Sequence, residues 1–182
     1  DLSIGKGINF PYRILPNTGL SEKDKNDIIF MMNHGNILCL SFTQNSEDII
    51  AVKEFILSKF DFLPPIVIKI ETSQALENLD AIIDTAMTFP KVSLLVARGD
   101  LVSECGWENL AKAQERIYLK AKSYNLPVIL ATGILEEFIQ KGIPSRAEIL
   151  DFHYANKFDC ILINKGKYMY EAIDFCNNYF KS

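Results

Sequence analysis

Five short apolar runs recur along the chain at nearly even spacing, and that rhythm leaves few folds open. They are NILCLSF at 36–42, PIVIKIE at 65–71, KVSLLVARG at 91–99, PVILAT at 127–132 and CILINK at 160–165. Counted from Ile37, Ile66, Val92, Val128 and Ile161, the spacings are 29, 26, 36 and 33 residues. Each interval holds a strand, a loop, a helix and a second loop. Strands this uniformly apolar imply a sheet covered on both faces, as parallel sheets are.

The intervening stretches carry helical periodicity. NSEDIIAVKEFILSKF reads as a helix with Ser46 as N-cap, early acids, and Ile49, Val52, Ile56 and Phe60 on one side. GWENLAKAQERIYLKAKSY aligns Trp107, Leu110, Ile117, Ala121 and Tyr124 in the same way. Ser21 and Asp24 form a capping box ahead of DIIFMM, and a last helix over about 167–181 groups Ala172, Cys176 and Tyr179. No low-complexity stretch or linker divides the chain, which reads as one β/α repeat in one domain.

A doubly wound sheet and part of a (β/α)8 barrel both fit that repeat. A dinucleotide-binding sheet carries a Gly-rich turn after a strand, and none is present. Polar residues gather instead at the C-terminal ends of the strands: Ser41, Lys69 with Glu71, Arg98 with Asp100, Thr132, and Asn164 with Lys165. Barrel enzymes collect their chemistry at that rim. The fold class expected is therefore α/β, of the (β/α)8 TIM-barrel type, with five β/α units in residues 1–182. A complete barrel needs about 250 residues.

Composition narrows the function. A net charge of −4 gives no electrostatic reason to expect nucleic acid. No apolar run nears the roughly 18 residues of a membrane span, and no signal-peptide pattern opens the chain. Cys39, Cys105, Cys160 and Cys176 are widely spaced without a CxxC, so reduced, mostly buried thiols are expected and a cytoplasmic location with them. His34 and His153 have no serine or cysteine at motif spacing, and neither a P-loop nor G-x-S-x-G is present.

The chemistry concentrates in two places. In a strand, i and i+2 share a side, so Lys69 and Glu71 stand together at the end of an apolar segment. Such a pair reads either as a structural ion pair or as part of a site, and desolvation makes burial for stability alone unprofitable. Glu71 and Asp100 close successive strands, so their carboxylates can converge. Mg2+ suits a few carboxylates, several waters and substrate oxygens. Lys69 can then stabilise charge on a phosphoryl group or an enolate. An adhesion reading of Arg98-Gly99-Asp100 is disfavoured by its place at a strand end.

KGINFP, LSEKDKNDI, SF, IKIET, VARGDL, ATGIL and GIPSRAEILD follow the order and spacing of the pyruvate kinase barrel domain after its lid insertion. The resemblance runs from about Gly5 to Tyr179, and its most specific set is IKIE, VARGDL and PSRAE. It implies that the chain supplies strands four to eight, with the first three strands and the lid outside it. It implies Glu71 and Asp100 as ligands of Mg2+ or Mn2+, Lys69 as the catalytic lysine, and Thr132 on the proton-donating side of pyruvate enolate. The backbone of Ala97, Arg98 and Gly99 resembles the segment that, with Asp100 and Thr132, holds the substrate. Phosphoenolpyruvate or pyruvate, and ADP, are the implied small-molecule partners. A homo-oligomer is implied as well, while K+ ligands would lie outside this chain.

The chain also departs from that family. Gly133-Ile134 replaces Gln-Met after the fourth strand, and Asn164-Lys165-Gly166 replaces the Ser-Gly-Glu-Thr-Ala turn on the nucleotide side. Arg146 follows the helix start at Ser145 and reads first as a packing or interface residue. Lys165 to Lys167 read as an exposed loop. A metal-dependent aldolase or lyase of 2-oxo acids would use the same carboxylates without ADP. A partial barrel serving assembly or regulation is the non-enzymatic alternative, because open sheet edges invite association.

Overall fold

The computed structural model describes residues 19–181. The KGINFP motif at 6–11 lies outside them.

Five parallel strands form one sheet in strict chain order: β1 (Leu38–Leu40), β2 (Ile66–Ile70), β3 (Val92–Ala97), β4 (Val128–Ala131) and β5 (Cys160–Leu162). Among the described residues the order never reverses and shows no switch point, which disfavours the doubly wound alternative. The register aligns Ile70 with Val96 and Ala97 with Ala131, which brings three strand ends to one level.

Alternation sorts the strand residues. Ile66, Ile68, Ile70, Leu94, Val96, Val128 and Leu130 join one large core with the helices. On the opposite face Val67, Leu95, Ala97 and Ala131 cluster with Ile129 and no helical side chain. The central strands are thus buried on both faces, as the apolar runs implied. The outer positions of the second face, Cys39 and Cys160, are exposed. Of the thiols expected to be mostly buried, only Cys176 is, and all four are free.

The helices are α1 (Glu22–His34), α2 (Ser46–Leu57), α3 (Ser73–Glu77), α4 (Leu79–Ala86), α5 (Arg98–Cys105), α6 (Trp107–Ser123), α7 (Glu136–Lys141), α8 (Arg146–Ala155) and α9 (Met169–Lys181). The capping box at Ser21–Asp24 forms as the sequence indicates, and Ser145, at the expected helix start, forms another with Glu148. For α2 the cap is Asn45, not Ser46: its side chain accepts from the Asp48 N–H, and the Asp48 carboxylate reaches back to the cap. Trp107 does not join the buried stripe of α6; it opens the helix and is 82% exposed. Arg98 and Gly99 extend no strand, because they form the first turn of α5. No helix among the described residues is long and apolar enough to cross a membrane.

Candidate functional site

The C-terminal end of β2 sets the first half of the site. Glu71 directly follows the strand, and Thr72 caps α3 by accepting from the Ala75 N–H at 3.1 Å. The Glu71 side chain at this strand-to-helix turn has no exposed surface. Lys69 lies two residues earlier on the same face, with its Nζ 2.6 Å from Glu71 Oε1.

Strand β1 completes this group. Lys69 Nζ donates to Ser41 Oγ at 3.1 Å, and the Phe42 N–H donates to Glu71 Oε2 at 2.6 Å. Phe42 has φ of 53°, a region that an aromatic residue enters only under constraint. The strained turn after β1 thus delivers a backbone donor to the buried carboxylate. Glu71 Oε1 lies against the ammonium without an aligned hydrogen bond, so this buried oxygen has an ion-pair contact alone. The carboxylate is thus compensated by one ammonium and one backbone N–H.

The second half comes from β3 and β4. Ala97 pairs with Ala131, and the chain turns from β3 directly into α5, placing Asp100 in its first turn. A hydrogen bond from Ser73 Oγ to the Glu104 carbonyl, at 3.0 Å, ties the start of α3 to the end of α5. The turns carrying Glu71 and Asp100 are linked in this way.

Thr132 follows β4 with φ of 72°. A β-branched residue in the left-handed region is strained by about 1–3 kcal/mol and persists only where its surroundings hold it. Arg98 supplies one restraint, its Nε donating to the Thr132 carbonyl at 2.8 Å. Its Nη1 and Nη2 bind Asp151 of α8 at 2.7 and 2.9 Å. Gly99 supplies the other: a Cβ there would lie 2.9 Å from Thr132 Cγ2. The Arg98 side chain is therefore committed within the protein and leaves the backbone of Ala97, Arg98 and Gly99 as the substrate-facing candidate.

The structure joins Lys69 to Glu71 and Gly99 to Thr132 as contacts, with Ala97 at the shared level. Asp100 is placed by its helix turn. Among the described residues no three His, Cys, Asp or Glu side chains gather as a metal cage. Sequence reasoning assigned no role to Phe42, Asp151 or the Ser41 contact. No short-range signal marks them, since Phe42 and Glu71 are 29 positions apart and Arg98 and Asp151 are 53 apart.

The remaining candidates are peripheral. His34, His153 and Arg146 are exposed, and so are Lys165 and Lys167. The loop at Gly166 packs onto α7, where a Cβ would meet Ile139 Cγ2 at 2.3 Å, and Gln140 Nε2 donates to the Lys165 carbonyl at 3.3 Å.

Comparison with known proteins agrees with this arrangement. A family model described as "Pyruvate kinase, barrel domain" matches residues 1–173. Pyruvate kinase of Thermotoga maritima is 36% identical over 177 residues, covering 92% of this chain and 36% of that protein. Pyruvate kinase of Encephalitozoon cuniculi is 32% identical, covering 93% and 39%. Pyruvate kinase 2 of Synechocystis is 31% identical, covering 94% and 29%. The chain spans about a third of the length of these relatives. Sequential parallel strands, site residues at their ends and a match across nearly the whole chain lead to one assignment: this chain belongs to the pyruvate kinase family.

Proposed function

We propose that the rim of β2, β3 and β4 is a Mg2+-dependent site for phosphoenolpyruvate and pyruvate, acting in phosphoryl transfer through the enolate of pyruvate. The sheet is read as strands four to eight of a (β/α)8 barrel. The observation that carries the proposal is Glu71, a carboxylate with no exposed surface held at the end of β2 with the Lys69 ammonium 2.6 Å from its Oε1.

Glu71 and Asp100 would hold the metal, which when bound supplies positive charge against the enolate and phosphoryl oxygens. Lys69 places an ammonium on the same side, where negative charge grows as the phosphoryl group leaves the enol oxygen. Backbone N–H groups at the start of α5 are suited to the substrate carboxylate. The Thr132 hydroxyl, at the end of β4, would assist protonation of the enolate carbon, giving pyruvate. The phosphoryl group would pass to ADP. The turn expected on the nucleotide side reads Asn164-Lys165-Gly166, so the enolate half carries the proposal.

Calorimetry with Mn2+ and oxalate, a mimic of the enolate, tests this reading. Oxalate binding that requires Mn2+ is expected, and Glu71→Gln with Asp100→Asn should remove it. Unchanged binding in that double variant would sink the proposal.

A further inference from the structure

Thr132 is held in a conformation that its own side chain disfavours, and the groups that hold it come from two successive β/α units. Arg98 links them, with one N–H on the Thr132 carbonyl and two on Asp151. Its side chain is only 12% exposed. A planar guanidinium can satisfy a carbonyl and a carboxylate together, which a lysine ammonium cannot do with fixed direction. The Thr132 carbonyl is thereby fixed from one side while Gly99 leaves room for the methyl group on the other. Gly133 follows with φ of 78°, a conformation that costs a glycine little.

We infer that Arg98 and Asp151 form a positioning pair whose task is to hold Thr132 in its left-handed conformation and so aim its hydroxyl at the reacting carbon. This rests on the proposed enolate site, but its physical core, the dependence of Thr132 geometry on Asp151, is measurable without turnover. Asp151 touches no reacting atom and acts through Arg98. An ordinary structural ion pair would matter for stability alone, whereas a positioning pair separates proton delivery from ligand affinity.

The test uses the whole chain with 13C-labelled threonine methyl groups, of which the sequence has six. Asp151→Ala should shift the Thr132 methyl resonance and leave that of Thr72 unmoved. In the presence of Mn2+, exchange of pyruvate methyl protons with solvent should slow about tenfold or more. Oxalate affinity should stay within about threefold. Asp151→Asn, which keeps the volume, should give an intermediate effect and serves if the alanine variant does not fold. An unmoved Thr132 resonance would overturn the inference, and so would a shifted resonance with unchanged exchange. Exchange and oxalate affinity falling together would reassign the pair to scaffolding. Wild-type protein that exchanges no pyruvate protons would instead overturn the enolate reading, with the inference falling through its premise.

Discussion

Lys69 and Glu71 can be judged by what each costs without the other. Removing one member of a buried pair leaves an uncompensated charge, whereas replacing both is often neutral. Glu71 has no exposed surface while Lys69 is 25% exposed, which favours the low end of the usual penalty. Lys69→Met should therefore destabilise the protein by about 3 kcal/mol in urea denaturation. Adding Glu71→Gln, which still accepts from the Phe42 N–H, should restore stability to within about 1 kcal/mol of wild type. A double variant as unstable as the single would mean that the pair serves the fold. Recovery would mean that the charges are kept for chemistry.

Helix boundaries carry the lesson at the scale of elements. Asn45 and Ser46 are both good caps, so composition alone does not separate them. The choice is made by Asp48, whose carboxylate accepts from the Gln44 and Asn45 N–H groups at 2.7 and 3.2 Å. Asn45→Ala should cost about 1 kcal/mol in thermal or urea unfolding. Ser46→Ala should stay within about 0.5 kcal/mol of wild type. Strands, helices and the Lys69–Glu71 face were legible in the sequence because periodicity and i, i+2 geometry are local. The shift of Arg98 and Gly99 from strand end to helix start was not, because α5 has a single buried residue, Leu101, and no apolar stripe. Ser41, Phe42 and Asp151 were hidden for another reason: each meets its partner only when separate units dock.

Across the whole molecule, Asp159 shows how the later units lock together. It lies just before β5, accepts from Lys122 of α6 at 2.8 and 2.6 Å, and accepts from the Val128 N–H of β4 at 2.8 Å. Burial pushes its carboxyl upward, but the Lys122 ammonium and the backbone donors outweigh this and hold it below its ordinary 3.8. A carboxyl lowered on folding adds stability above its unfolded value and loses it as pH falls through the folded one. Thermal melts from neutral pH to about pH 2.5 should show an acid-induced loss of stability. Asp159→Asn should be less stable at neutral pH and fall less steeply below about pH 4.

The strict strand order has a further consequence, for how such a chain acquires its shape. Each of β2 to β5 finds its partner in the unit just before it, so pairing advances by short loop closures and not by distant searches. Growth from the ribosome presents the units in that same sequence. Each emerging strand meets an edge already waiting for it, and synthesis and assembly proceed in step.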